Sequence, residues 1–344
     1  MNTRGLYQES IKRQRIDWLD IAKGLGIIAV VVSHSYCCDL IWIVMACYVP
    51  VFFVCSGFTL KRKSNYTDFI VKKSKRLLLP YLFCMVLMTV FNFLSDLFLH
   101  QPFDFFRSTV GVLYSRAMLY PMDTEANLLM LPKNTLPLWF LTALLASLLL
   151  AYPLLGVVKR KCMMLITALV LMAVSYLFTF CPILLPWSLD TLPLFVLMVL
   201  FGVWIREYEL MKMPWHTYIL MLIVYVVMLY FIGDINFSVR EYGTSLLMTV
   251  VSALSGSLLL MKLSQMMARI QWLNKPLSTL GRHSLYIMCF HLPVLTVCGK
   301  VIDALPFSGT ILLCLSLSSV IIAIFVGYLL SVLVQRYIPF LKFN

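Results

Sequence analysis

The feature that most limits this chain is its succession of long apolar runs, of which residues 310–330, TILLCLSLSSVIIAIFVGYLL, are one. A run of about eighteen such residues or more crosses a hydrocarbon core of about 30 Å as an α-helix. Lipid offers no partner for a backbone amide, so a spanning segment has to satisfy its own, which a helix does. A transmembrane barrel would need strands of about ten residues that alternate apolar and polar side chains. The run above does not alternate, and a barrel is rejected. Of the 344 residues 61% are hydrophobic and 12% charged, against about 25% charged in soluble domains, so there is too little charge to cover a globule in water. The expected fold class is all-α, a polytopic integral membrane helical bundle.

Run length places helices at roughly 19–38, 42–60, 77–99, 138–157, 162–181, 189–205, 217–233, 242–261, 284–302 and 310–334, about ten spans. The net charge of +13 falls largely on one side of this ladder. Arg4, Lys12, Arg13 and Arg15 precede the first span, and Lys61, Arg62, Lys63, Lys72, Lys73, Lys75 and Arg76 follow the second. Lys159, Arg160 and Lys161 follow the fourth, Arg206 and Lys212 the sixth, Lys262, Arg269, Lys275 and Arg282 the eighth, and Arg336 and Lys342 the tenth. The opposite side carries Arg107, Arg116, Lys133 and Arg240, with Lys300 near a helix end. Basic residues mark the cytoplasmic side, which puts both termini in the cytoplasm. The charge therefore reports sidedness, and no nucleic-acid partner is expected.

Most of the ten cysteines lie inside apolar runs (Cys55, Cys84, Cys289, Cys314), and no CxxC or Cys/His spacing suggests a metal site or a disulfide framework. The first apolar run follows a basic segment but lacks a small-residue cleavage site and leads into further spans, so it reads as a retained helix. No internal repeat is visible, and residues 1–344 read as a single membrane domain. The longest outer loop, about residues 100–137, holds Asp104, Arg107, Arg116, Asp123 and Glu125. It has the polarity to contact a hydrophilic substrate or can be a plain connector.

The first span carries the densest chemistry: Asp17-Trp18-Leu19-Asp20-Ile21-Ala22-Lys23-Gly24, an apolar stretch, then Ser33-His34-Ser35. Lys23 and His34 are eleven residues apart, about three turns plus 20°, so both project from one helix face about 16 Å apart along the axis. They can line one cavity at two depths, Lys23 near the cytoplasmic end and His34 toward the outer end. Ionisable groups within spans usually face a bundle interior or a wet path. Taken alone, Lys23 could instead snorkel to the interface or pair with Asp20 one turn earlier, and His34 could be an outer-interface residue.

Other candidates are weaker singly. Ser56-Gly57 near the end of the second span could admit a slender ligand or a neighbouring helix. The cluster Lys72-Lys73-Ser74-Lys75-Arg76 suits the phosphates of a cytoplasmic donor or of anionic lipid, or simply fixes topology. Trp139-Phe140-Leu141 opens the fourth span, and Gly281-Arg282-His283-Ser284-Leu285-Tyr286 leads to His291, a second histidine within a span, equally readable as a hydrogen-bonded core residue.

Together these segments resemble acyltransferase family 3, polytopic membrane acyltransferases that include O-acetylases of bacterial surface polysaccharides. The resemblance rests on Asp20 to His34, Phe52 to Phe58 (FFVCSGF), Lys75 to Tyr81 (KRLLLPY), Trp139-Phe140-Leu141 and Ser284 to His291 (SLYIMCFH), in the family's order over most of the chain. The family commonly has arginine ahead of the first-span histidine. Here Lys23 takes that place, a departure similar to the fucose and hexose O-acetylase branch. Lysine is a point charge without a planar fork, so a bidentate role carried over from arginine is in doubt.

The resemblance implies a multi-pass protein of the bacterial plasma or inner membrane that moves an acyl group, acetyl first among them, from cytoplasmic acyl-CoA to a sugar hydroxyl of a cell-surface polysaccharide or glycolipid. Acyl-CoA would be a substrate; no bound cofactor and no metal is expected. A thioester is already activated, so the protein needs mainly a base for the acceptor hydroxyl, a group polarising the acyl carbonyl and a dry path. His34 is the candidate base, with an acyl-histidine as the less favoured variant. Lys23 would contact the donor's polar groups, Ser56 and Gly57 would leave room for its pantetheine arm, and Asp20, Arg76 and His291 complete the candidate site. The rival function is a transporter or flippase in which Lys23, His34 and His291 line a substrate or proton path. A pure membrane scaffold would leave the paired ionisable residues without a purpose.

Overall fold

The computed structural model describes residues 16–62, 65–98, 100, 104–116, 118–121, 138–306, 308–338 and 341. Among them are eleven α-helices: α1 (Asp17–Ser33), α2 (Pro50–Thr59), α3 (Tyr66–Phe98), α4 (Phe105–Tyr114), α5 (Trp139–Leu154), α6 (Lys161–Phe178), α7 (Leu192–Glu207), α8 (Trp215–Ile232), α9 (Leu246–Met267), α10 (Gln271–Asp303) and α11 (Gly309–Tyr337). A two-residue antiparallel ribbon, β1 (Ile235–Asn236) with β2 (Glu241–Tyr242), closes the α8–α9 connection.

Six of these helices, α3, α6, α8, α9, α10 and α11, are long and apolar enough to cross a membrane. Their outer faces require a nonpolar solvent. Of the residues of α6 only Ser175 is buried, while Leu165, Ile166, Leu169 and Val170 are exposed. On α11, Ile321, Ile322 and Phe325 are likewise bare. Apolar surface on this scale belongs in lipid. The protein is an all-α membrane bundle, as its composition requires.

Each of the ten expected segments carries a helix, but α1, α2, α5 and α7 are shorter than the six. The second expected span, 42–60, is the most altered. Pro50 starts α2, where its missing amide is tolerated, and the chain before it forms a separate 3₁₀ turn over Cys38–Val44. The third and ninth expected spans begin late, because α3 and α10 continue N-terminally into the polar segments Tyr66–Arg76 and Gln271–His283. Apolar run length marks where lipid begins, and the backbone continues its helix past that point.

Two helix crossings are made of glycine. A Cβ on Gly281 would stand 1.7 Å from the Asp20 carbonyl oxygen, and one on Gly24 would stand 2.3 Å from that of Leu277. The backbones of α1 and α10 therefore touch, as small residues allow in membrane bundles. Gly57 and Gly202 join α2 to α7 in the same way, with Cβ positions 1.8 Å and 2.0 Å from the Val199 and Val54 carbonyl oxygens. Around that second crossing Phe53 stacks on Phe195 with centroids 4.3 Å apart, and Phe140 and Trp139 of α5 close on the pair. The FFVCSGF and WFL segments thus build the α2–α5–α7 core.

At the opposite end from Lys23, three connections are tied by one carboxylate. Asp190 is buried and bonds Arg116 through Oδ1 and Arg240 through Oδ2, the latter at 3.2 Å. Arg116 also donates to the Leu185 and Ser238 carbonyls, and Arg240 to those of Ile183 and Cys181. Burial lowers the Arg116 pKa, and the Asp190 charge opposes that shift. Arg116 and Arg240 are consequently internal struts on this side of the bundle, and Arg116 serves the connector reading of its loop. Asp123, Glu125 and Lys133 lie outside the described residues, as do Arg4, Lys12, Arg13, Arg15, Lys63 and Lys342.

Candidate functional site

The α1–α10 contact sets the site. By placing Asp20 and Lys23 of α1 beside Arg282 of α10, it opens a cavity of about 180 Å³ at the basic end of the bundle. Lys23 Nζ is 3.4 Å from Asp20 Oδ1, and Arg282 Nε is 3.8 Å from Asp20 Oδ2. The polar N-terminal part of α3 adds Lys73 and Arg76, and α2 adds Ser56 and Thr59. Four cations against one carboxylate make this an anion-attracting chamber. Its deeper wall, Phe140, Leu141, Leu144, Leu285 and Met288, is apolar.

One turn beyond Met288 stands His291, fully buried, with its ring in edge contact with that of His34, centroids 5.1 Å apart. His34 caps the C-terminal end of α1. Its Nδ1 lies 2.8 Å from the Val30 carbonyl oxygen, and Nδ1 of His291 lies 2.7 Å from that of Met288. A carbonyl only accepts, so in both neutral rings Nδ1 carries the hydrogen and Nε2 is the basic nitrogen. Nε2 of His291 has no hydrogen-bond partner among the described residues. Pro293, two positions on, cannot supply the helical amide for the Cys289 carbonyl and loosens the helix beside the ring.

On the far side of the histidine pair a second pocket opens, lined by His34, Ser35 and Tyr36 from the end of α1 and by Thr296, Lys300 and Asp303 from the last turns of α10. The Tyr36 hydroxyl donates to Asp303 Oδ1 at 2.5 Å. Along α10 the order is thus cationic cavity (Gly281 to Met288), histidine, polar pocket (Leu292 to Asp303).

Of the sequence candidates, Asp20, Lys23, Ser56 and Arg76 share the inner cavity, while His34 meets His291 at the other end of α1. Lys23 and His34 line separate pockets, Lys23 the inner cavity and His34 the outer one, with His291 of α10 in ring contact with His34 between Met288 and the outer pocket. Gly57 faces away from the cavity into the backbone of α7, so its small size serves the crossing and not a ligand. Sequence reasoning offered Lys73 only within the basic cluster ending at Arg76, passed over Arg282 although it stood in a quoted segment, and missed Tyr36 and Asp303. An acidic residue at the outer end of an otherwise apolar span was the available signal for Asp303.

The profile of a family described as an acyltransferase domain matches residues 16–336. No curated protein and no solved structure matches the chain.

Proposed function

The chain belongs to acyltransferase family 3, and we propose that this membrane acyltransferase moves an acetyl group from cytoplasmic acetyl-CoA to a hydroxyl of a cell-surface polysaccharide or glycolipid sugar. The observation that carries the reading is the His34–His291 pair between a cationic cavity at one end of the bundle and a polar pocket at the other. The excess of basic residues on the Lys23 side supports a cytoplasmic cavity and cytoplasmic termini, which an even number of spans such as ten allows, and residence in a bacterial plasma membrane is carried over from the family resemblance.

The donor enters phosphates first in this reading. Arg76 and Arg282 offer planar forks to its phosphate oxygens, with Lys23 and Lys73 as point charges. The pantetheine arm runs along Phe140, Leu144 and Leu285 toward Met288. The acceptor hydroxyl enters the outer pocket, where Nε2 of His34 takes its proton as the oxygen attacks the thioester carbonyl. The C–O bond forms, the C–S bond breaks, and the thiolate leaves with the coenzyme and gains a proton. His291 positions His34 through the ring contact, and a proton on one imidazole disfavours a second on the other.

The test is transfer of label from acetyl-CoA to surface glycan in membranes bearing His34→Gln. A general base is worth about 10² to 10⁴ in rate, so the variant should accumulate normally and transfer almost nothing. Near-parental transfer by the Gln, Asn and Ala variants would remove His34 from catalysis. A transporter or flippase would leave the glycan unlabelled in the parent as well.

A further inference from the structure

A second basic pocket lies at the same end of the bundle as Lys23. The end of α2 divides the two: Thr59 lines the inner cavity, whereas Leu60, Lys61 and Arg62 line the second pocket, of about 450 Å³. The α5–α6 connection brings Lys159 to it, and the end of α7 brings Arg206 and Glu207.

These cations divide into two kinds. Arg206 is structural: it donates to the Phe58 and Leu60 carbonyls at 2.6 Å each, closing the C-terminus of α2, and pairs with Glu207 at 2.8 Å. That pair uses the only carboxylate among the residues lining the pocket. Lys61, Arg62 and Lys159 are exposed, and no hydrogen bond or ion pair joins them to protein among the described residues. The bare face of Gly156 seats the Arg62 guanidinium, since a Cβ there would lie 2.9 Å from Nη1. Sidedness alone would scatter cations around the rim. Here two separate connections converge three unpaired cations on one concavity, which concentrates positive potential where an anion can enter. Beneath them Leu155, Val158 and Trp204 form an apolar floor. A cationic rim over such a floor, between helices at the basic face, matches a phosphate with an apolar or aromatic body attached.

We propose that this pocket is a phosphate-binding site separate from the inner cavity, its rim made by Lys61, Arg62 and Lys159. The phosphate can come from the headgroup of an anionic lipid or from the nucleotide end of a coenzyme A molecule. The second source rests on the donor reading above, and the first does not.

The test uses the full-length protein in neutral detergent, with binding followed by thermal shift. Phosphatidylglycerol is compared with phosphatidylcholine, and coenzyme A with 3′-dephospho-coenzyme A. In at least one pair the more anionic ligand should bind about tenfold more tightly, as one or two charge-assisted hydrogen bonds require. The triple variant Lys61→Gln, Arg62→Gln, Lys159→Gln should lose that preference, and a triple exchange that keeps the charges (Lys61→Arg, Arg62→Lys, Lys159→Arg) should retain most of it. If the neutral triple variant does not accumulate, Lys159→Gln alone should show the same loss in smaller measure. Preference in the lipid pair assigns the site to a membrane lipid, and preference in the coenzyme pair assigns it to the donor. A parent without preference in either pair, or a neutral variant that keeps it, overturns the proposal. Since no turnover is involved, the outcome is independent of whether His34 proves catalytic.

Discussion

Gly281→Ala tests whether backbone contact between α1 and α10 builds the site. The added Cβ would lie 1.7 Å from the Asp20 carbonyl oxygen, where ordinary van der Waals contact begins at 3.4 Å. The helices must therefore part locally by about 1.7 Å, and the obstacle is backbone, which no rotamer change can clear. Overpacking of this kind costs about 1–3 kcal/mol, offset by about 1 kcal/mol because alanine suits a helix interior better than glycine. The net loss of stability, up to about 2 kcal/mol, lowers the midpoint of thermal unfolding by a few degrees. The effect on chemistry is larger. Arg282 follows the substituted position, its 3.8 Å approach to Asp20 is lost, and His34 moves against His291. A displacement of about 1 Å at reacting groups costs about 10²-fold in rate. Thermal unfolding in detergent and transfer of labelled acetyl groups in membranes measure the two effects separately. Gly299→Ala is the control on the same helix: its Cβ would meet only the Tyr36 ring and hydroxyl, at 3.8–3.9 Å, so the unfolding midpoint should stay parental or rise slightly with the better helix former. Gly281→Ala with parental midpoint and parental transfer would refute the contact as the determinant of the site.

Three further outcomes follow from the same geometry. Asp190→Ala leaves Arg116 and Arg240 buried without their carboxylate, which costs about 3–5 kcal/mol; thermal unfolding reads this, and a parental midpoint would mean the carbonyl contacts alone hold the two arginines. Lys23→Ala should raise KM for acetyl-CoA more than for the acceptor, and Lys23→Arg should keep part of the activity because the charge persists; equal loss on both substrates would take Lys23 out of donor binding. Reporters fused after about residue 70 or 160 should report cytoplasm and one fused near 120 the outside, and a cytoplasmic signal from the last would reverse the proposed direction of transfer.

The helices were legible because apolar run length is a property of neighbouring residues: each of the ten runs holds an α-helix, six of them long and apolar enough to cross a membrane. Their limits were not, since Tyr66–Arg76 and Gln271–His283 are polar yet helical. Those extensions carry Lys73, Arg76 and Arg282 to the inner cavity, so the part of the site hardest to read lay where helix and lipid boundaries diverge. His34, His291, Lys23 and Asp20 were visible as ionisable groups in apolar context. Their division between two cavities depends on how α10 packs along α1, which periodicity within one helix does not encode. The role of Gly57 stayed open between ligand and neighbouring helix for a similar reason, and the resemblance pointed to the wrong one: a small residue looks the same whether its bare face meets a ligand or the backbone of α7. The burial of Arg116 and Arg240 was not legible because Asp190, their shared partner, is about 50 to 75 positions away along the chain.

The brevity of α2 has a consequence for how the protein is made. Its ten residues extend about 15 Å, roughly half of what a bilayer core demands, so as it leaves the ribosome it lacks the length to hold a transbilayer position unaided. The helix that seats it, α7, is synthesised about 130 residues later, and α10, which brings His291 to His34, later still. Nascent chains halted before residue 190 should therefore keep α2 unsettled and accessible to surface labelling, and competence would arrive only near the end of translation. Quality-control proteases would meet a stalled chain with its glycine seams open, and every mature copy would owe its site to late, long-range docking.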